Sequence, residues 1–441
     1  MKQVFFYCSL WFFTLLFLSG NNLKAQEKTK YPDAVQSDPV KIGWMIGSPP
    51  PTDRIPRFDD GSFFQFPALR WSVAHMRQFM PTVNVSRGLG NSIPLTVKQN
   101  KAIDNVKFIP LGETKAITWE ESLQKVYADG VVIMHHGKIV YEKYFGALTP
   151  DGQHAAMSVT KSFTGTLGIV LAKEGLIDTT KTVSHYIPEL KNSAFGDATV
   201  RQVMDMTTAL QFSEDYADPN AEIWKFSAAG NPLPKPKDYD GPKTYCEYLP
   251  TVQKKGVHGE SFGYKTVNSD VLGWIIARVT GKNVAEVLSE KIWKKIGADQ
   301  DGYFSVDAIG TPFAGGGYNL GLRDLVRFGQ LILNNGKVGK EQIIPKSAID
   351  DIKKGGSKKA FEKGGYTLLK GWSYRDMWWI THNDHGAFCA RGVHGQVIYI
   401  DPKADMVIVR FASNPIASNS ANDPYSLLAY DAVAKFLLSV K

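Results

Sequence analysis

The sequence predicts an α/β fold: an antiparallel sheet flanked by helices, with a mainly helical second region inserted. Three observations predict it. Residues 130–145 have the pattern of a β-hairpin, the chain closes with two apolar runs at 396–400 and 406–412, and the segments between carry helical periodicity. A sheet drawn from both ends of the chain and covered by helices accounts for all three. The 441 residues are 43% hydrophobic and 21% charged, enough for a large core and unlike a disordered or coiled-coil chain.

Lys2, the apolar run at 4–18 and the small residue Ala25 make residues 1–25 an expected export signal. The run is shorter than the ~20 residues of a spanning helix. The expected mature protein is therefore exported, to the periplasm or beyond, without a stable membrane span; an uncleaved anchor is the alternative. Residues 26–115 are rich in Pro, Gly and Asn but contain Trp44, Phe58, Phe63, Phe64, Phe66, Trp71 and Phe79. Disordered leaders are aromatic-poor, so these residues are expected to wrap the core as an N-terminal arm, with a helix only near 70–80.

A helix is expected at 117–127, ahead of the hairpin. Another spans 158–173, where Phe163, Leu167, Val170 and Leu171 recur at helical spacing. Gly165 and Gly168 weaken it by about 1 kcal/mol each unless a neighbour packs closely, and Gly175 ends it. Further helices are expected at 200–206, 271–280, 284–296, 322–333 and 424–440. Residues 230–243 form a proline-rich loop long enough to be functional. Strands are thus expected before residue 146 and after 395. The domain reading is an α/β domain from 116–175 and 365–441 around a mainly helical region at 176–364.

The formal charge of +8 is scattered. Its densest cluster, Lys353, Lys354, Lys358, Lys359 and Lys363, lacks aromatic platforms, so no nucleic-acid partner is expected. Beyond the leader the cysteines are Cys246 and Cys389, with no spacing that requires a disulfide. His382-Asn383-Asp384-His385 has no third ligand with supporting spacing, and His135-His136 sits at the hairpin turn. No cofactor or metal is expected. P-loop, Rossmann, Gly-x-Ser-x-Gly and His-Glu-x-x-His patterns are absent, which argues against nucleotide enzymes, α/β-hydrolases and metalloproteases.

The chemistry-bearing residues form three groups. Ser158 and Lys161 are three apart and share a helix face. A serine at a helix N-terminus gains from the dipole, and a buried lysine that loses its proton serves as its base. The plainer reading is an N-cap serine beside a solvated lysine. Tyr264 precedes a short polar turn and an apolar helix, a placement that lets a phenol shuttle a proton; packing of Tyr264 with Asn268 as helix cap is the alternative. His394 and Gly395 lie before the strand at 396, where backbone N–H groups supply half of an oxyanion hole. His394 either contacts substrate or closes the turn.

In this order, Ser158-Val159-Thr160-Lys161, Tyr264 and Val393-His394-Gly395 resemble the serine β-lactamase-like and penicillin-binding hydrolases, a group related to class C β-lactamases. The arm residues Pro67 and Arg70-Trp71-Ser72, the loop Asp215-Tyr216-Ala217-Asp218-Pro219, and Gly315-Gly316-Gly317 are similar to the 6-aminohexanoate-dimer hydrolase-like branch. The resemblance implies a β-lactamase/transpeptidase-like fold. It implies catalysis by Ser158, Lys161 and Tyr264, with Tyr216, His394, Gly395 and Asn268 as substrate-binding residues. It implies a small ester, amide or peptide-like substrate. Asp215 or Asp218 is a candidate partner for a substrate amine, and Trp224, Trp372, Trp378 and Trp379 are candidate pocket walls. Two departures count against β-lactam hydrolysis: Thr266 stands two after the tyrosine in place of asparagine, and Val393-His394-Gly395 stands where Lys-Thr-Gly is expected. The alternatives are a DD-peptidase or β-lactamase activity on peptidoglycan-like substrates, and a catalytically silent binding protein of the same fold.

Overall fold

The computed structural model describes residues 31–440; the expected export signal lies outside them. Its main sheet runs in the order Ser373–Arg375, Trp378–Ile380, Phe388–Gly392, Gln396–Asp401, Met406–Ala412, Ala128–His135, Lys138–Tyr144 and Thr96–Val97. All neighbours are antiparallel except the last pair. Gln396–Asp401 and Met406–Ala412 are buried along their whole lengths. They read as unbroken apolar runs because helices cover both faces of the sheet. Ile398 and Val407 meet helix Leu322–Leu333 at Gly329. On the other face Tyr399 packs on Tyr430 of helix Asp423–Ser439, with ring centroids 4.9 Å apart.

The expected strands before 146 and after 395 are present, but strands also occur between them. Thr82–Val85, Gly302–Ser305, Tyr318–Gly321 and Gln153–Ala155 make a second, antiparallel sheet. Ser373–Arg375, Trp378–Ile380 and Phe388–Gly392 extend the main one. Most are three or four residues long, too short for alternation to stand out from chance. Helix boundaries differ modestly. Trp119–Lys125 begins after Thr118, whose capping box with Glu121 fixes the start. Val267–Thr280 begins four residues earlier than expected. The expected helix at 284–296 is Val284–Lys291 followed by a short 3-10 turn at Trp293–Lys295. The arm has only Leu69–Ser72 and the 3-10 turn Met76–Gln78 near 70–80. Among the described residues no helix is long and apolar enough to cross a membrane, and Cys246 and Cys389 are free thiols.

Helix Val159–Lys173 is the centre of the molecule. Phe163, Leu167, Val170 and Leu171 are buried as their spacing requires. Gly168 lets Leu272 and Met204 approach, and a Cβ on Gly165 would collide with the Asp376 carbonyl. The glycines thus exchange intrinsic propensity for close packing. We expect Gly165→Ala to destabilise the protein by at least about 2 kcal/mol, because the clash is with backbone. Gly90→Ala, with open space around its position, is expected to stay within about 0.5 kcal/mol of the parent. Denaturant midpoints of the two variants check the contrast.

Candidate active site

Ser158 sits at the N-terminus of helix Val159–Lys173, one residue after Met157, whose φ of +47° is left-handed. Such a backbone costs about 1–3 kcal/mol and persists where the surroundings impose it. Here Ala155 donates to Val73 and Ala156 to Tyr318, fixing the approach. The Ser158 side chain makes no capping bond, and among the described residues no acceptor pairs with its N–H. The residue is 8% exposed.

One turn on, Lys161 is 1% exposed. Its Nζ donates to Ser158 Oγ at 2.9 Å and to the Gly315 carbonyl. Burial lowers its pKa to about 8, while Glu214 and Asp270 oppose the shift. The solvated-lysine alternative therefore does not hold. Gly315 tolerates no side chain, since a Cβ would meet Thr266 and Asp270.

Tyr264 completes the cluster. Lys161 Nζ lies 5.1 Å from its ring centroid, and the Ser158 side chain is among the neighbours that act on its hydroxyl. Its ring stacks on Trp379 at 5.4 Å. Burial, reinforced by Glu214, holds the phenol well above its ordinary pKa, against the pull of Ser158 and Arg391. At neutral pH it is a phenol, not a phenolate. The three residues singled out from sequence are brought together.

The expected substrate-binding residues divide. Tyr216 is half-buried, edge-on to Trp224, and its hydroxyl points to Glu214 at 3.5 Å. Burial, with Glu214 and Tyr264 adding to it, raises its pKa well above the ordinary value. Asn268 is fully buried and committed to the protein: its Oδ1 accepts from Thr208 and its Nδ2 donates to the Lys265 carbonyl. Its expected contact with substrate is corrected to a structural tie. Asp215 and Asp218 are exposed and accept from the backbone N–H groups of Ala217 and Asn220. They close local turns. Glu214, which sequence reasoning passed over in an acidic loop, is the carboxylate that turns inward. It accepts from the Thr266 N–H, and burial raises its pKa against the pull of Lys161.

The strand end also needs correction. Val393–Gly395 is a tight turn in which His394 has φ +63°. His394 is buried, its Nδ1 is 2.7 Å from the Asn414 carbonyl, and its ring meets the edge of Phe64 from the arm. Burial lowers its pKa to about 4. Gly395 lies against Ala412 and Asn422. The residue that reaches the serine is Gly392, where a Cβ would stand 3.0 Å from the Ser158 nitrogen. The glycine was visible in the sequence, but the strand to which it belongs was not. Arg391 beside it pairs with Asp423 and stacks over Trp379 at 5.2 Å. Trp378, on the opposite strand face, is core and donates to Thr166. His382 bonds Ser373, and His385 pairs with Asp401.

Comparison with known proteins gives the family. The Beta-lactamase family model matches residues 118–431. The 6-aminohexanoate-dimer hydrolase of Paenarthrobacter ureafaciens is 32% identical over 391 residues, covering 88% of this chain and 92% of that protein. A Bacillus anthracis structure carrying the same hydrolase name superposes with a TM-score of 0.78 at 35% identity, over 89% of this chain and 99% of that one. A D-stereospecific amidohydrolase from Streptomyces shares the fold, with a TM-score of 0.51 at 17% identity over 69% and 97% of the two chains. From the extent of these matches and the fold they share, the chain belongs to the beta-lactamase family and is a serine hydrolase.

Proposed function

We propose that this chain hydrolyses small amides or esters in two acyl-transfer steps through an acyl-enzyme on Ser158, with Lys161 as general base. The observation that carries the reading is the buried 2.9 Å hydrogen bond from Lys161 Nζ to Ser158 Oγ. A solvated lysine stays charged; this one, held by burial near a pKa of about 8, is poised to accept a proton. In the proposed cycle neutral Lys161 takes the hydroxyl proton as Ser158 Oγ attacks the carbonyl carbon. The N–H groups of Ser158 and Val393, neither paired with an acceptor among the described residues, receive the developing oxyanion. Tyr264, a neutral phenol beside Lys161, hands a proton to the departing amine or alcohol. Water then attacks the acyl group by the same route in reverse.

The dimer hydrolase relative points to linear amides joining short chains as the substrate class. Tyr216, beside Tyr264 and Glu214, is placed to meet the leaving-group side. A β-lactamase-like role is less favoured. Arg391 stands next to Gly392, but Asp423 neutralises it, leaving no free cation there for a β-lactam carboxylate. The leader at residues 1–25 supports a site of action outside the cytoplasm.

Intact-mass analysis after treatment with an alkyl fluorophosphonate or a p-nitrophenyl ester should show one adduct, on Ser158. Ser158→Ala should show none and lose about 10³-fold or more in kcat/KM. An unmodified parent protein would sink the reading. The rate should also rise with pH and level off above about 8, because the base acts only when Lys161 is neutral. Glu214 favours the protonated lysine. Glu214→Gln is therefore expected to move this rise to lower pH, by about half to one unit, in a pH–rate profile of ester hydrolysis.

A further inference from the structure

We infer that His154 is a positioning residue for the oxyanion donor on Ser158: its ring holds the Ala155 carbonyl, and Asp129, reached by Arg70 of the arm, holds the ring. The role rests on the acyl-enzyme reading above, in which the Ser158 N–H receives the oxyanion; the tie itself does not.

His154 is the middle residue of strand Gln153–Ala155 and is fully buried. Its Nδ1 is 2.9 Å from the Ala155 carbonyl oxygen, and its Nε2 is 3.2 Å from an Asp129 carboxylate oxygen. A carbonyl can only accept, so the proton of this tie sits on Nδ1. The ring is stacked on Phe411 with centroids 4.6 Å apart, which fixes its plane. Asp129 is buried, and Arg70 Nη2 lies 3.4 Å from its other oxygen. A buried imidazole is costly unless its nitrogens are paired. Here one pairing falls on the backbone that leads into Ser158.

The peptide that the ring holds is fixed at both ends. Its carbonyl, on Ala155, faces His154, and its N–H, on Ala156, donates to the Tyr318 carbonyl at 2.9 Å. The next two carbonyls, of Ala156 and Met157, accept from the N–H groups of Val159 and Thr160 as the helix begins. The Ser158 N–H follows, without an acceptor among the described residues. A rotation of the 155–156 peptide would pass to that N–H, because planar peptides leave only φ and ψ to absorb it. Met157, at φ +47°, lies in a small permitted region and absorbs little. Gly392 leaves no slack on the far side: a Cβ there would stand 2.9 Å from the Ala156 carbonyl oxygen and 3.0 Å from the Ser158 nitrogen. Oxyanion donors act by being aimed in advance, and His154 is the side chain that aims this one.

Two variants separate the donor from the volume. His154→Phe keeps a ring to stack on Phe411 and removes both nitrogens. His154→Asn leaves a cavity but places an amide N–H donor near the position of Nδ1. Rates on an activated ester are taken per active site, counted by fluorophosphonate labelling of Ser158. His154→Phe should lose about tenfold in kcat, less than the 10²–10³ of a donor removed outright. Its KM should change little, because the oxyanion forms only in the transition state. Affinity for an alkylboronic acid, whose serine adduct sets an oxygen on the same donors, should fall by a similar factor. His154→Asn should recover most of the loss, although its cavity makes it the less stable of the two in denaturant. A side chain that only filled space would give the opposite order. Parental kcat in His154→Phe, a lower rate for His154→Asn than for His154→Phe, or a shift of the acid limb set by Lys161 would each overturn the role. The parent protein supplies a test that needs no variant to fold: NMR of enzyme labelled with nitrogen-15 histidine should show His154 protonated at Nδ1, and a bare Nδ1 would overturn the tie. An unlabelled Ser158 in the parent would overturn the acyl-enzyme reading and this role with it, while the state of Nδ1 still decides the tie.

Discussion

A lysine ammonium enclosed by protein is the constraint on which the rest of this structure depends. Lys161 is 1% exposed, and removing its charge from water is unfavourable by several kcal/mol unless other groups respond. Three responses are visible. The Gly315 carbonyl and the Ser158 hydroxyl accept its protons. Two carboxylates, the half-buried Glu214 and the buried Asp270, stabilise the charge from different segments. The remaining imbalance appears as a lowered pKa. Each response dictates sequence elsewhere: glycine at 315 so that its carbonyl reaches the ammonium, an inward acid in the loop before Tyr216, and an acid in the first turn of the helix after Tyr264.

Holding the serine against this lysine requires a helix that does not shift. The hydroxyls along it supply the anchors. Thr160 accepts from the Tyr318 N–H, Ser162 donates to the Met377 carbonyl, Thr164 donates to the Ala314 carbonyl, and Thr166 accepts from the Trp378 indole. These hydroxyls reach segments of both sheets and the loop between Gly302–Ser305 and Tyr318–Gly321. In an ordinary core helix such residues lower helix propensity and compete for backbone. Here each is satisfied by a different neighbour, and together they fix the height and rotation of the helix that carries Ser158 and Lys161. Gly165 allows the Asp376–Met377 segment close enough to bond.

The long periodic segments were legible because burial on a helix or on a two-faced strand leaves a pattern in sequence. Helix Leu322–Leu333 and strand Met406–Ala412 fall where their spacing puts them. Ser158, Lys161 and Tyr264 were legible because their spacing and their neighbours specify a chemistry. What escaped notice was short or depended on distant contact. Phe388–Gly392 has five residues, all buried, so neither alternation nor length marked it. Without that strand, the turn at His394 looked like the edge facing the serine, when Gly392 is the residue that faces it. Glu214 and Asp270 carried no local mark either. An acid turned toward a buried lysine and one turned toward water look alike until the fold brings the lysine near. Asn268 misled for the opposite reason: a polar residue close in sequence to Tyr264 is satisfied entirely by Thr208 and Lys265.

The N-terminal arm belongs to the same argument. Its Arg70 is buried and reaches the Ala34 carbonyl, Ser37, Ser413 and Asp129. One side chain thus ties the arm to two central strands of the main sheet or their immediate ends. Asp129 in turn accepts from His154, one residue before the path through Ala155, Ala156 and Met157 to Ser158. On the other side, Phe64 of the arm covers His394, within the turn that follows Gly392. The arm therefore bears on the backbone before Ser158 and on the turn after Gly392. In the proposed cycle a docked extension of this kind would stiffen the oxyanion donors from behind, where preorganised dipoles gain most from rigidity. The density of aromatic residues in a proline-rich segment is the sequence trace of that docking, since Phe58, Phe63, Phe64 and Phe79 form a continuous ring cluster that a solvated leader has no means to bury.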